Sequence, residues 1–297
     1  MKKIAIIGMG YWGKNLIREF SKLCVVSTCV TLGNQNNRKW LKKNYPDVEI
    51  TNNLNKVLSD DSIESVVIAT PIDTHYDLTL KALKNKKHVF VEKPISKKFT
   101  EGKKLLDLAK KNNLTLFVGY EFMYHQIFDK IKVITKNDPI KSLVFNWLQN
   151  SNSKENIIYD LVSHEVSILL KFLGIPKIIS SKQSIGINTS SDLISFFIKF
   201  NKNVFASIYV NRINEIKRKS ILISTQKNTF LWLGDELFKF NKNGISFNSI
   251  FKQTKTPLEI ECFKFLNLID KTPNNYSNPE HALLVTKYLE KIQHLKN

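Results

Sequence analysis

The chain has 297 residues, 42% of them hydrophobic, and a formal net charge of +19, enough length for two domains with buried cores and no apolar run long enough to span a membrane. Only four of its 45 basic residues are Arg (Arg18, Arg38, Arg212 and Arg218); the rest are lysines scattered among Asn and Ile, which with no nucleic-acid motif argues against a nucleic-acid partner. The three cysteines, Cys24, Cys29 and Cys262, form neither a metal-type pair nor a disulfide framework, so no metal site is expected, and with no signal peptide visible the expected location is cytoplasmic.

In chain order, residues 4–7 form a continuous apolar run, the pattern of a strand buried on both faces of a parallel sheet. Gly8, Gly10 and Gly13 follow in G-x-G-x-x-G spacing, and Leu16, Ile17 and Phe20 then recur at helical spacing. Strand, glycine turn and helix together predict a dinucleotide site. Gly8 permits the tight turn, Gly10 lets a pyrophosphate approach the backbone, and Gly13 lets helix and strand pack closely. Tyr11 and Trp12 stand at the helix N-terminus, where free N–H groups favour phosphate. The same pattern also fits a structural turn with no ligand.

Strands and helices continue to alternate: strand 25–31, helix 36–44, strand 48–50, helix 54–58, strand 63–69, helix 74–84 capped by Asp73 or Thr74, strand 88–91, helix 100–112 and strand 114–118. That alternation predicts a doubly wound parallel sheet, a Rossmann domain over 1–119. Beyond it the pattern predicts an α/β domain over 120–297 with a mostly antiparallel open sheet. Its expected elements are a helix over 122–134, strand 141–148, helix 157–173 closed by Gly174, strands 178–187, 193–200, 204–210, 220–224, 229–233 and 237–240, and helices 258–269 and 279–292. Residues 201–203 and 225–228 are the expected hairpin turns.

The second strand lacks the acid that grips a ribose hydroxyl in NAD-binding folds; no Asp or Glu lies between Glu19 and Asp47. Thr31, Asn34, Arg38 and Lys39 stand there instead. The cofactor is therefore NAD or NADP, with a lean to NADP, since no carboxylate would repel a 2′-phosphate.

Three stretches carry candidate chemistry. Glu92-Lys93-Pro94 closes a predicted strand, and ligands of open α/β sheets bind outside such ends; a lysine reaching solvent also fits. Asp160 and His164, four apart, share one face of the predicted helix; so would an ordinary Asp–His pair. Thr70-Pro71-Ile72-Asp73-Thr74-His75 follows the fourth strand, where Thr70, Pro71 and His75 could border the cofactor.

In these four motifs together the chain resembles the glucose–fructose oxidoreductase/inositol dehydrogenase family. Gly10-Tyr11-Trp12-Gly13 and Tyr159-Asp160-Leu161 look closest to members that oxidise or reduce nucleotide-linked amino sugars. The resemblance implies a Rossmann domain binding NAD or NADP and a second domain holding a sugar or nucleotide-sugar substrate. It maps the family's lysine onto Lys93 and its helix motif onto Asp160 and His164. His164 is then the general base, Lys93 stabilises the alkoxide and touches cofactor and substrate alike, and Asp160 orients the base or the same hydroxyl. It also implies a homodimer or homotetramer joined through the second-domain sheet.

Tyr120, Tyr124, Asn211 and Arg212 are candidate substrate contacts by position. Residues 149–156 are short and polar where a longer substrate-lining segment is expected. With the missing acid, they leave open an alternative: a non-catalytic NAD(P)-binding regulatory or interaction protein of the same fold.

Overall fold

The computed structural model describes residues 2–151, 153–242, 244–270 and 277–295. They divide into two compact units, the first of residues 1–121 and 258–287, the second of 122–257 and 288–297.

The first unit holds the predicted parallel sheet. Its strands are β1 (Lys3–Ile7), β2 (Val25–Val30), β3 (Glu49–Thr51), β4 (Ser65–Ile68), β5 (His88–Glu92) and β6 (Leu116–Gly119), in the spatial order β3-β2-β1-β4-β5-β6. Every β4 residue is buried, as are Ile4 to Ile7 of β1, which is why these strands read as unbroken apolar runs. The crossover helices are α1 (Tyr11–Phe20), α2 (Gln35–Asn44), α3 (Leu54–Leu58), α4 (His75–Lys84) and α5 (Phe99–Lys111). The strand order reverses between β1 and β4, the position where doubly wound sheets open a crevice for ligands.

The second unit is built on an eight-stranded sheet. After α6 (Gln126–Thr135) come β7 (Ile140–Asn150), α7 (Ser163–Leu173), β8 (Ile178–Ile185), β9 (Leu193–Lys199), β10 (Phe205–Asn211), β11 (Ile213–Thr225), β12 (Thr229–Leu233), β13 (Glu236–Phe240) and β14 (Phe247–Lys252). The order is β14-β13-β12-β11-β7-β10-β9-β8, with every pairing antiparallel except β10 with β7. Leu143, Phe145 and Trp147 of β7 point to the buried face, whereas Val144, Phe197 and Tyr209 stay exposed on the other.

Local details depart from the sequence expectation for identifiable reasons. The expected helix 122–134 is interrupted: Glu121–Tyr124 is a 3₁₀ turn, and α6 restarts after His125, whose Nδ1 accepts from Ile127 N at 3.3 Å. The expected helix 157–173 opens as a π-helix over Ile158–Val162 before α7 begins. β11 is 13 residues long rather than five, because its charged first half pairs across a bulge with β7. β14, largely exposed at the sheet edge, has no buried face to set a readable alternation.

The chain closes with helices α8 (Pro257–Ile269) and α9 (Ser277–Gln293); residues 258–287 belong to the first unit. Phe265 of α8 packs edge-on against Phe20 and Phe90, at ring distances of 6.0 and 5.6 Å, and lies 5.8 Å from Phe117. Deleting this fully buried ring removes its contacts to three strand and helix residues at once. Phe265→Ala is expected to destabilise the first unit by about 3–5 kcal/mol, whereas Phe263→Ala, at an exposed position of the same helix, is expected to cost less than about 0.5 kcal/mol. Denaturant unfolding of the two variants checks this.

Candidate active site

The glycine turn of the first unit is set by backbone crowding. Gly8 has φ +100°, and a Cβ there would lie 2.4 Å from the Ala69 carbonyl oxygen; a Cβ on Gly13 would lie 2.2 Å from the Gly8 carbonyl oxygen. Gly10 differs, since a Cβ there meets nothing within 4 Å. The backbone is bare where a pyrophosphate needs to approach, at the N-cap of α1, and no side chain caps that helix end. The residues present therefore fit a dinucleotide. Asn37 Nδ2 donates to the Met9 carbonyl at 2.7 Å and holds the turn from the α2 side. Tyr11 is exposed and its ring stands edge-on to Trp12 at 5.6 Å.

At the end of β2, Arg38 Nη2 donates to the Thr31 carbonyl at 3.1 Å. Asn34 caps α2 by accepting from Asn36 N at 2.8 Å. The candidate ribose end thus presents Thr31 and a guanidinium, with no carboxylate in the run 20–46.

The two other strand-end loops are tied together. Thr70 and Thr74 hydroxyls lie 2.6 Å apart, and Thr74 Oγ1 donates to the Pro71 carbonyl. His75 is 1% exposed. Its Nδ1 lies 2.8 Å from the Pro94 carbonyl and its Nε2 2.8 Å from the Thr70 carbonyl. A carbonyl only accepts, so a neutral ring can donate to one of them and the imidazolium to both; burial nonetheless holds its pKa below the usual histidine value. His75 thereby links the loop after β4 to the one after β5. In this position it braces Pro94, next to Lys93, rather than presenting a nitrogen to a ligand.

Lys93 is half-buried at the end of β5. Glu92 accepts from the Lys93 backbone N–H at 3.3 Å, and its carboxyl carbon lies 3.4 Å from where a Cβ on Gly119 would stand. Burial pushes the Glu92 carboxyl up to about 8, against the pull of Lys93. Glu261 of α8, 1% exposed, is raised well above the usual range by burial and then by Glu92 and Glu121. Neither Glu261 oxygen has a hydrogen-bond partner among the described residues. Sequence reading missed Glu261, which looks like any acid on an amphipathic helix. Tyr120, 2% exposed, has a buried hydroxyl with no hydrogen-bond partner among the described residues, and burial raises its pKa.

In the second unit the π turn carries half-buried Asp160, and α7 carries His164, 5% exposed. The imidazole stands edge-on to Phe122 at 5.0 Å and tilted against Trp147 at 5.3 Å. π turns recur at functional sites. Arg212 is 1% exposed; its Nη1 donates to the Ser153 and Glu155 carbonyls, both at 2.8 Å, and Asp160 and Asp192 are its charged neighbours. It clamps the short polar stretch 149–156, of which residue 152 lies outside the described residues. Tyr124 is half-buried in the 3₁₀ turn, and Asn211 Nδ2 donates to the Tyr209 hydroxyl at 3.2 Å. No cluster of metal-ligating side chains occurs among the described residues.

Residues 2–120 match the family described as "Oxidoreductase family, NAD-binding Rossmann fold" (GFO_IDH_MocA). An uncharacterized oxidoreductase of Schizosaccharomyces pombe is 31% identical over 46% of this chain and 41% of its own length. The scyllo-inositol 2-dehydrogenase (NADP(+)) IolW of Bacillus subtilis is 26% identical over 48% and 43% respectively. The chain thus spans less than half the length of these curated relatives. The structure of the UDP-N-acetylglucosamine 3-dehydrogenase GnnA from Acidithiobacillus ferrooxidans superposes with a TM-score of 0.87 at 16% identity, covering 98% of this chain and 96% of that one; the likeness is one of fold.

Two expectations follow from the turn and the buried acids. Gly10→Ala is expected to unfold within about 0.5 kcal/mol of the wild type and to bind NADH or NADPH at least about tenfold more weakly, whereas Gly13→Ala loses both stability and binding. Fluorescence titration beside denaturant melts reads the two effects; unchanged affinity in Gly10→Ala would make the turn purely structural. The second concerns pH. Because Glu92 is raised from 4.5 to about 8 in the folded state, the folded chain binds the extra proton across that window, and stability falls as pH rises through it. Glu92→Gln is expected to gain on the wild type progressively from about pH 4.5 to about pH 8 in denaturant midpoints taken across that range.

Proposed function

From the match of residues 2–120 to this family of NAD-binding oxidoreductases, we propose that the chain transfers a hydride between a nicotinamide dinucleotide and a secondary hydroxyl or ketone of a sugar, a nucleotide-linked amino sugar above all. The observation that carries this reading is the seating of His164, an imidazole bracketed by two aromatic rings on a helix that opens with a π turn. Such a site holds a proton acceptor in one orientation, which catalysis by proton transfer requires and simple ligand binding does not.

The dinucleotide supplies the hydride acceptor or donor. In the oxidising direction a His164 ring nitrogen takes the substrate hydroxyl proton, and the Lys93 ammonium stabilises the oxygen charge that develops. Asp160 orients the imidazole or the same hydroxyl. In the reducing direction His164 returns the proton. His75 acts at one remove, through the Pro94 carbonyl, and Arg212 through the backbone of residues 153–155. The arginine beside Thr31 and the absence of a carboxylate favour NADP over NAD.

The exposed apolar side chains Val144, Phe197 and Tyr209, which rim a shallow groove on the outer face of the second sheet, support assembly through that face as a homodimer or homotetramer. The three buried free cysteines suit a reducing, cytoplasmic setting. No helix among the described residues is long and apolar enough to cross a membrane.

Turnover is to be measured by nicotinamide absorbance over a panel of sugars and UDP-sugars. Lys93→Ala and His164→Ala are each expected to lower kcat by about 10²–10⁴-fold while dinucleotide binding persists. Dinucleotide binding without turnover of any sugar would favour the regulatory alternative, and wild-type rates in both variants would remove these residues from catalysis. Arg38→Ala is expected to lower affinity for NADPH by about tenfold relative to NADH, read by parallel titrations.

A further inference from the structure

His164 shares its aromatic neighbours with a buried ion pair that the reading above does not use. Lys219 of β11 is the register partner of Trp147 on β7. Its Nζ lies 3.3 Å from the centroid of the Phe122 ring and 4.0 Å from that of Trp147. The same Nζ lies 3.2 Å from Glu165 Oε1. Glu165 follows His164 directly on α7 and is 1% exposed. Phe122 and Trp147 are also the rings that bracket the His164 imidazole.

A buried ion pair is a costly way to fill a core. Desolvating both charges offsets much of their attraction, and apolar residues of similar volume often serve stability as well or better. What such a pair adds is geometric definition. An ammonium over an aromatic face is drawn to the ring quadrupole, and the attraction grows when water is excluded. Here one ammonium engages two rings, and its carboxylate partner sits on the helix residue adjoining the imidazole. Burial raises the Glu165 carboxyl above the usual range, and Lys219 opposes that shift. Three sequence-distant elements are therefore fixed to one point: the 3₁₀ turn through Phe122, β7 through Trp147, and α7 through Glu165.

We propose that Lys219 and Glu165 are positioning residues for His164: the ammonium, anchored by the carboxylate, pins the Phe122 and Trp147 rings, and the rings hold the imidazole in one orientation. The proposal rests on the reading of His164 as the general base. It assigns the pair no contact with substrate or cofactor, and Lys219 Nζ is itself buried from solvent. Its loss is therefore felt in the proton-transfer step, not in binding.

The test uses the full-length chain with Lys219→Met, which keeps the length of the side chain without its charge. Because a lone Glu165 could then unfold the unit, the double variant Lys219→Met/Glu165→Gln is made beside it, leaving no unpaired charge. Two readouts are taken. The first is steady-state kinetics on the sugar turned over by the wild type. Both variants are expected to lower kcat by about ten- to a hundredfold, the cost of a misplaced catalytic group, with KM changed by less than about twofold. The second needs no turnover: the His164 ring nitrogen signals in ¹⁵N-histidine NMR, assigned against His164→Gln, are expected to shift or broaden in both variants. Wild-type kcat in the folded double variant, or an unmoved His164 signal, overturns the proposal. If no sugar is turned over even by the wild type, the functional reading fails instead, and the NMR result alone decides whether the pair positions His164.

Discussion

The first unit depends on a place where there is no room for a methyl group. Around Gly8, Gly13 and Ala69 the backbones of the glycine turn, α1 and the end of β4 close in until a Cβ would stand only 2.2–2.4 Å from a carbonyl oxygen. This closeness follows from the sheet. β1 pairs with β2 on one side and β4 on the other, and the turn continues both ladders, through Gly8 N to the Val30 carbonyl and Ala69 N to the Ile7 carbonyl, at 2.9 and 2.8 Å. A chain that knits three strands in one turn must pass its own backbone at contact distance. Glycine there serves the fold first, and the bare surface at Gly10 is what remains for a ligand.

The second unit obtains its order differently. Its central strand β7 lies between β10 and β11, and its buried face presents Trp147 to elements that arrive from far along the chain. The π turn over Ile158–Val162 widens the helix at Asp160, just before His164 on α7. In an ideal α-helix residues four apart stand about 40° apart around the axis; the wider turn resets that angle. Tertiary contacts must hold such a turn, because its backbone bonds alone do not favour it over an α-helix. Arg212, held by two backbone carbonyls and with Asp160 and Asp192 among its charged neighbours, is one contact that limits where residues 153–155 can go.

This division explains what could be read from the sequence. The glycine turn, the alternating strands and helices, and Lys93 at a strand end are local patterns. Each is dictated by residues within about twenty positions, so spacing and burial periodicity exposed them. The i, i+4 spacing of Asp160 and His164 is a local pattern too, although the π turn alters the helix between them. Their surroundings were not legible: Phe122, Trp147, Glu165 and Lys219 meet through sheet register and helix packing, neither of which leaves a spacing to count. Lys219 was further hidden as one lysine in a lysine-rich chain, on the charged half of a strand whose true length needed its partner to define it. The grouping of residues 258–287 with the first unit was unreadable too, since it rests on Phe265 meeting rings nearly 150 to 250 positions earlier.

The two units surround their buried ionisable groups differently. In the first unit burial pushes Glu92 up to about 8 and raises Glu261 well above the usual carboxylate range, since a carboxylate without water is costly. In the second unit burial also raises Glu165, but the buried groups have charged partners: Lys219 has Glu165 and two rings, and Arg212 has backbone carbonyls and Asp192. A neutral acid tolerates small movements of its neighbours, because little field has to be matched. A paired charge does not, since an ångström of separation in a dry interior is costly. Precision is therefore concentrated in the unit that carries the imidazole, and the Lys219–Glu165 pair, although a poor choice for stability alone, suits a site in which a proton must be met at one place.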